Sequence, residues 1–174
     1  PANLKGEEAL AELKKLDADL MVVVAYGLIL SQDVLDIPKL GCINIHGSLL
    51  PRWRGAAPIN RAIIEGDTET GVTIMNVVKA LDAGDMLHKT VCNIGEDETA
   101  SELHDRMMLM GAEGLRETLL LMANNKLAPE RQDEALVTYA HKLDKSESEL
   151  DWSKSAKALA RQVRGLNAWP VAQT

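Results

Sequence analysis

Phenylalanine is absent from the 174-residue sequence, and the aromatic residues are limited to three tryptophans and two tyrosines. The sequence contains seven methionines, so we expect a core of aliphatic and thioether side chains. It has just two cysteines, Cys42 and Cys92, which show neither the spacing of a zinc site nor the number typical of a disulfide scaffold. This usage suits a reducing compartment, and we therefore expect a cytoplasmic protein.

Long apolar runs and an excess of positive charge are also missing. No apolar run approaches the roughly 20 residues of a transmembrane helix, which argues against an integral membrane protein and predicts no membrane partner. The net charge of −7 argues against a surface that binds nucleic acid without help from elsewhere. With 46% apolar and 26% charged residues, the chain can bury a core, and its length fits one domain.

Helical and extended patterns alternate in the first half of the chain. Residues 4–16 have the spacing of an amphipathic helix, and residues 20–25 form an uninterrupted apolar run, which is typical of a strand buried on both faces. Ser31 is a candidate N-cap for a short helix ending near Pro38, and Cys42–His46 follows as a second strand. This order predicts an α/β fold with an open, doubly wound, mostly parallel sheet.

The second half adds a hairpin and two more helices. Pro58 is suited to the first turn of a helix that ends at Gly66. Residues 72–78 and 86–94 predict two strands joined so closely that we expect an antiparallel hairpin at the sheet edge. Thr99 and Glu102 form a capping-box pattern before a long helix. A short strand at 136–140 and a helix at 154–164 are predicted in the tail.

Three polar residues form a candidate catalytic site. Alternate residues of a strand share a face, so Asn44 and His46 point in one direction at the end of the second strand, where α/β sheets place ligand crevices. Asp82 lies in a glycine-containing turn from which it could reach His46. An amide for an oxyanion, an imidazole and a carboxylate suit acyl transfer to an amine. The alternatives are a structural core histidine and an ordinary Asx turn.

The loop at residues 47–58 is a candidate binding element. Residues 48–51 combine backbone polar groups with apolar side chains, which suits one wall of a pocket for a flat heterocycle. Arg52, Trp53 and Arg54 place cations around an aromatic ring and could contact a nucleic acid. The alternative is a solvated loop with Trp53 packed on the core. The other three histidines, His88, His104 and His141, lack metal-ligand spacing, so no metal site is predicted.

A longer motif carries a family resemblance. It reads Asn44, Ile45, His46, Gly47, Ser48, Leu49, Leu50, Pro51, and then Asp82. This pattern resembles the signature of the enzymes that use 10-formyltetrahydrofolate to formylate amines. The stretches 46–59, 71–75, 81–87 and 136–140 are most similar to the branch of that family that acts on methionyl initiator tRNA.

The resemblance implies a Rossmann-like fold and a role for each site residue. Asn44 and His46 would stabilise the oxyanion, while Asp82 would hold His46 and help to move the proton of the amine. The co-substrate 10-formyltetrahydrofolate would bind three segments, whose residues are Gly27, Leu28, Ile29, Leu30, Ser48, Leu49, Leu50, Pro51, Val77, Val78, Lys79, Ala80 and Leu81. Methionyl initiator tRNA would be the partner.

The resemblance also implies that the chain is the interior of a longer enzyme, monomeric at full length. Residues 1–125 would form a catalytic domain without its first strands, and residues 126–174 a tail leading toward a C-terminal tRNA-binding domain. Ala168 stands where the family pattern has proline. The isolated segment would transfer formyl groups to tRNA poorly. Two alternatives remain: the same chemistry on another amine, such as an aminosugar nucleotide, and a catalytically inert folate-binding fragment.

Overall fold

Apart from the short strand β3, the helices and strands follow the predicted order along the chain. The computed structural model describes Leu4 and residues 6–174, so residues 1–3 of the predicted catalytic domain and residue 5 of the predicted first helix lie outside the described part. The helices are α1 (Glu7–Lys15), α2 (Gln32–Leu35), α3 (Pro58–Glu65), α4 (Ala100–Ala123) and α5 (Ala156–Gly165). The strands are β1 (Met21–Val23), β2 (Cys42–His46), β3 (Arg54–Gly55), β4 (Glu69–Asn76), β5 (Met86–Asn93) and β6 (Tyr139–Ala140).

The main sheet has the order β1-β2-β4-β5. β1 pairs with β2 in parallel, whereas β4 pairs with both β2 and β5 in antiparallel orientation. Three of these four strands therefore run in the same direction and β4 runs against them. This arrangement confirms the α/β class and the predicted antiparallel hairpin, formed by β4 and β5 at one edge.

The central core lies between this sheet and helices α3 and α4. Its fully buried side chains include Ile43, Ile63, Ile74 and Leu103, with Met107 beside them, so this cluster is aliphatic and thioether as expected. Close approach of α4 to the sheet requires a glycine, because a Cβ at Gly111 would lie 2.9 Å from a methyl carbon of Ile45. No helix in the described part of the chain combines the length and the apolar character needed to cross a membrane.

The ends of α3 and the start of α4 follow the predicted signals. α3 begins at Pro58 and ends at Gly66, whose φ of 81° is the left-handed conformation that glycine adopts without strain. Thr99 caps α4 by accepting a hydrogen bond from the backbone of Glu102, and the Glu102 carboxylate accepts one from the backbone N–H of Thr99. The predicted capping box is therefore confirmed.

Some local expectations were wrong, and two of them concern the main sheet. The run at residues 20–25 is not buried on both faces, because β1 lies at an edge of the described sheet, and Val22 and Val24 are 43% and 55% exposed. β4 begins at Glu69, three residues before the predicted start, since its pairing with β5 extends to Asn93. Periodicity alone does not reveal how far a partner strand continues.

A second, two-stranded sheet was not predicted. β3 lies within the loop at 47–58 and pairs in parallel with β6, with Arg54 opposite Tyr139 and Gly55 opposite Ala140. A Cβ at Gly55 would lie 2.7 Å from the Ala140 carbonyl oxygen, and the φ of Gly55 is 119°, so glycine is required there. This pairing brings the tail of the chain against the loop that follows β2.

Candidate functional site

Strand β2 presents Asn44 and His46 on one face, as its alternation predicts. His46 is 5% exposed and Asn44 is half-buried. Cys42, on the same face, is a buried core thiol that is directed at the carbonyl of Leu35 at 4.0 Å. Burial raises the pKa of the Cys42 thiol, so it is a poor nucleophile.

The orientation of the His46 ring is set by a backbone carbonyl. The Nε2 atom of His46 lies 2.8 Å from the carbonyl oxygen of Trp53. Because a carbonyl oxygen can only accept, we assign the hydrogen to Nε2, and the neutral ring has its lone pair on Nδ1. The expectation that Asp82 holds the ring is therefore modified: the Nδ1 atom lies 3.7 Å from the Oδ2 atom of Asp82, too far for a hydrogen bond.

Asp82 is held beside His46 by strand β3. Its Oδ2 atom accepts a hydrogen bond from the backbone N–H of Gly55 at 2.8 Å. The side chain is 18% exposed, so it reaches solvent while most of its surface is covered. Asp82 has a φ of 47°, a left-handed conformation that is uncommon outside glycine and directs its carboxylate toward β3. His46 and Asp82 thus lie together, as predicted, with Trp53 and Gly55 as additional partners.

The segment at residues 48–51 is folded upon itself. The Ser48 hydroxyl donates to the Arg52 carbonyl at 2.6 Å, while the Thr73 hydroxyl donates to the Ser48 carbonyl at 2.7 Å. Ser48 and Leu50 are buried, which leaves the half-buried Leu49 and Pro51 with surface for a ligand. Ser48 and Leu50 therefore support the loop from within, and their side chains are not part of an open wall.

The two other candidate segments combine a shared core with exposed apolar side chains. Leu30 is buried in a cluster with Cys42, and Val77 packs against the same cluster. This contact brings residues 27–30 and 77–81 toward one another. Their solvent-facing apolar residues are Leu28, Ile29, Val78 and Leu81, which are 43% to 69% exposed. Gly27, Lys79 and Ala80 are also exposed. Such a concentration of exposed apolar surface beside polar groups is typical of a binding site.

The expected basic and aromatic surface at Arg52, Trp53 and Arg54 is wrong for two of its three members. Trp53 is 8% exposed and packs against Ala62 and Ala140. Arg54 is 3% exposed. Neither can stack on or contact a nucleic acid without unfolding the loop. Arg52 alone lies at the surface.

Arg54 instead forms a buried network with residues of the tail. Its Nε atom donates to the Oε1 atom of Gln132 at 2.9 Å, and its terminal nitrogens donate to Glu134. Gln132 was not singled out in the sequence. A glutamine in a polar stretch 50 residues from Asp82 has no motif that could have identified it.

Arg52 is also committed to an intramolecular partner. It donates two hydrogen bonds to Asp67, at 2.9 and 2.7 Å, and its guanidinium lies 4.2 Å from the ring centre of Trp53. Trp53 Nε1 donates to the same carboxylate at 2.8 Å. Burial raises the pKa of Asp67, but the hydrogen bonds from Arg52 and Trp53 outweigh it and keep that pKa below 3.8. A pocket of about 370 Å³ lies beside this pair, away from His46.

The remaining histidines have structural or surface environments. His88 lies 3.3 Å from Glu117, His104 is exposed beside Asp105, and His141 stacks on Tyr139. Among residues 6–174 and Leu4, no group of three or more His, Cys, Asp or Glu side chains is arranged to hold a metal ion.

An open α/β sheet with an amide and an imidazole on one strand, and a carboxylate in the turn between two other strands, is typical of a Rossmann-like protein with a polar site at the ends of its strands. A family model described as "Formyl transferase" matches residues 1–119, and one described as "Formyl transferase, C-terminal domain" matches residues 142–174. The chain belongs to the formyl transferase family. The division of the chain near residue 125 remains a prediction.

Known proteins resemble the chain in sequence and in fold. It is 59% identical over all 174 residues to a methionyl-tRNA formyltransferase from Methylococcus capsulatus, and it spans 56% of that relative's length. A sugar N-formyltransferase from Shewanella has a similar fold, with a TM-score of 0.82 and 22% identity over 98% of this chain and 69% of the other. HypX from Aquifex aeolicus, in complex with tetrahydrofolic acid, matches with a TM-score of 0.78 and 21% identity over 92% of this chain and 28% of the other.

Proposed function

We propose that this chain carries the formyl-transfer site of an enzyme that moves a formyl group from 10-formyltetrahydrofolate to the amino group of methionyl initiator tRNA. The observation that carries the proposal is that Asp82 lies beside His46, with 3.7 Å between His46 Nδ1 and Asp82 Oδ2, while Asn44 shares the strand face of His46. The methionyl-tRNA formyltransferases that are 54% to 59% identical to this chain support the substrate.

The surface near Asn44, His46 and Asp82 fits a folate. A pterin ring needs apolar contact on its faces and hydrogen bonds at its edge, which an apolar surface beside exposed backbone provides. Leu28 and Ile29 on one segment, with Val78 and Leu81 on the other, supply the apolar contact. Gly27 and residues 79–80 supply exposed backbone. Pro51 would form a third side, whereas Ser48, Leu50 and Leu30 act from within and Leu49 lines the separate pocket beside Arg52 and Asp67.

Each polar residue has a separate role in the transfer. 10-Formyltetrahydrofolate supplies the formyl carbon, where the amine forms a new C–N bond through a tetrahedral intermediate before the bond to the folate nitrogen breaks. Asn44 donates an amide N–H to the oxygen as it becomes negative. His46, once protonated, donates from Nδ1 to the same oxygen, because Nε2 is already bonded to Trp53.

Asp82 balances charge and protons in this scheme. Its carboxylate stabilises the positive ring of His46 across 3.7 Å and accepts the proton that the attacking amine releases, directly or through one water molecule. Asp82 passes this proton to the folate nitrogen as the bond between that nitrogen and the formyl carbon breaks. His46 keeps the proton that it took from solvent before the transfer, so the site returns to its starting state. No serine or cysteine nucleophile is required, because the amine itself attacks.

The experiment is formyl transfer by the full-length protein from 10-formyltetrahydrofolate to a panel of amines. We expect methionyl initiator tRNA to be formylated and an aminosugar nucleotide not to be. If the protein formylates the aminosugar nucleotide in preference to the tRNA, the proposed substrate is wrong and the protein is a sugar N-formyltransferase. Binding of folate without formylation of any amine would indicate an inert binding protein.

A further inference from the structure

The Gln132 side chain links the turn that carries Asp82 to the buried Arg54. Its Nε2 atom donates to two backbone carbonyls of the turn, Asp82 and Gly84, at 2.8 Å each. Its Oε1 atom accepts from Arg54 Nε at 2.9 Å, and the side chain is 3% exposed. Every polar atom of this side chain is therefore used at the junction of the loop and the tail.

These contacts define the orientation of the Gln132 amide. Arg54 can only donate, so the oxygen of the amide must face it, and the carbonyls of Asp82 and Gly84 can only accept, so the nitrogen must face them. A carboxylate at this position would preserve the contact with Arg54 but present an oxygen to two carbonyl oxygens. The site thus discriminates between glutamine and glutamate, although they have the same shape.

The same contacts restrain Asp82 at its backbone as well as its side chain. Asp82 has a φ of 47°, which is unfavourable for a residue with a Cβ and persists only where its surroundings hold it. The Gln132 amide holds the carbonyl of Asp82, while the N–H of Gly55 holds its carboxylate. Gly55 follows Arg54 directly, so both anchors originate from β3 and its contacts.

We propose that Gln132 is a positioning residue for Asp82, acting together with Arg54 to keep the carboxylate at its distance from His46. The expected effect on formyl transfer rests on the proposed function, whereas the expected effect on the position of the Asp82 carboxylate does not. A shift of about 1 Å in a group that manages a proton is enough to slow a reaction by up to about 10²-fold.

The test compares Gln132→Glu with Gln162→Glu in the full-length protein. Gln162 is a matched control, because its Nε2 atom also donates to two backbone carbonyls, those of Glu147 and Glu149, but in α5. Labelling arginine with ¹³C at the carbonyl and glycine with ¹⁵N detects the amides of just two residues of this chain, Gly55 and Gly165. The amide of Gly55 reports directly on its bond to the Asp82 carboxylate.

We expect Gln132→Glu to accelerate hydrogen exchange at Gly55 by at least about tenfold, while Gly165 is unchanged. It should lower kcat for formyl transfer by roughly 10- to 100-fold with little change in the KM for the folate. Gln162→Glu should leave Gly55 and kcat unchanged. A general loss of stability would affect both glycines instead.

An unchanged Gly55 amide in Gln132→Glu would overturn the proposal. If that variant fails to fold, Gln132→Met, which retains the size of the side chain, is measured in the same way. If Gly55 responds but the unchanged protein formylates no amine, the positioning role stands and the proposed function fails.

Discussion

The Oδ2 atom of Asp82 lies 3.7 Å from the Nδ1 atom of His46, a distance at which a carboxylate stabilises an imidazolium without a direct hydrogen bond. At this distance Nδ1 makes no hydrogen bond to Asp82. A hydrogen bond between the two would have occupied the ring nitrogen that the proposed transfer uses, since Nε2 is bonded to Trp53.

Replacing Asp82 with asparagine should separate charge from structure. Asparagine retains an oxygen for the N–H of Gly55, so we expect the fold to be nearly unchanged. The negative charge beside His46 is lost, and formyl transfer should fall by at least about 10²-fold. The measurement is kcat with methionyl initiator tRNA. Asp85→Asn, an exposed change in the same turn, should retain activity. Near-normal turnover by Asp82→Asn would remove Asp82 from the mechanism.

Truncating Arg54 should destabilise the protein more than truncating a surface arginine. Arg54→Ala leaves the Oε1 atom of buried Gln132 without its donor, and we expect the free energy of unfolding to fall by about 2–3 kcal/mol. Urea denaturation measures this change. Arg116→Ala, which breaks an ion pair with Glu113 on the exposed side of α4, should barely move the midpoint. Equal effects of the two changes would contradict the buried network.

Acid should lower the stability of the folded protein by protonating Asp67. Its folded pKa lies below the ordinary value of 3.8, so its contribution to stability is complete above that value and is lost as the pH falls through the lower folded pKa. Asp67→Asn should therefore lower stability at neutral pH by about 1–3 kcal/mol and flatten the decline below pH 4. Thermal unfolding from pH 2 to pH 7 measures both. If the stability of Asp67→Asn fell with pH as steeply as that of the unchanged protein, the assigned role of Asp67 would be wrong.

The capping box of α4 should have a measurable effect on stability. Thr99→Ala removes the hydroxyl that caps the helix, and we expect a loss of about 1 kcal/mol. Thr99→Ser retains the hydroxyl and should behave nearly like the unchanged protein. Chemical denaturation of both variants checks the prediction, and an equal loss in the two would place the effect outside the cap.

Local patterns predicted the parts of the site that depend on neighbouring residues. The alternation of a strand places Asn44 and His46 on one face whatever surrounds them. Pro58 and Gly66 define the ends of α3, and Thr99 with Glu102 defines the start of α4, because these signals act within one helical turn. The proximity of Asp82 to His46 was expected from a turn that could reach the strand, and from the family resemblance.

Contacts between residues far apart in the sequence determined the features that local patterns did not predict. Arg54 is buried by partners about 80 residues away, so its basic, surface-like sequence context was misleading. Trp53 is likewise enclosed, with its backbone N–H bonded to Thr138, 85 residues on. The exposure of β1 and the length of β4 depended on which strands pair with them. None of these features has a periodicity that a local pattern could reveal.

The sequence by itself therefore determined the α/β class, the limits of α3, the start of α4 and the shared face of Asn44 and His46, since the backbone geometry of a helix or strand repeats over a few residues. Only the tertiary structure decided that Trp53 orients the His46 ring and that Gln132 and Gly55 hold Asp82. These are hydrogen bonds between buried groups from separate segments, and they form because each group must find a partner once the fold excludes water.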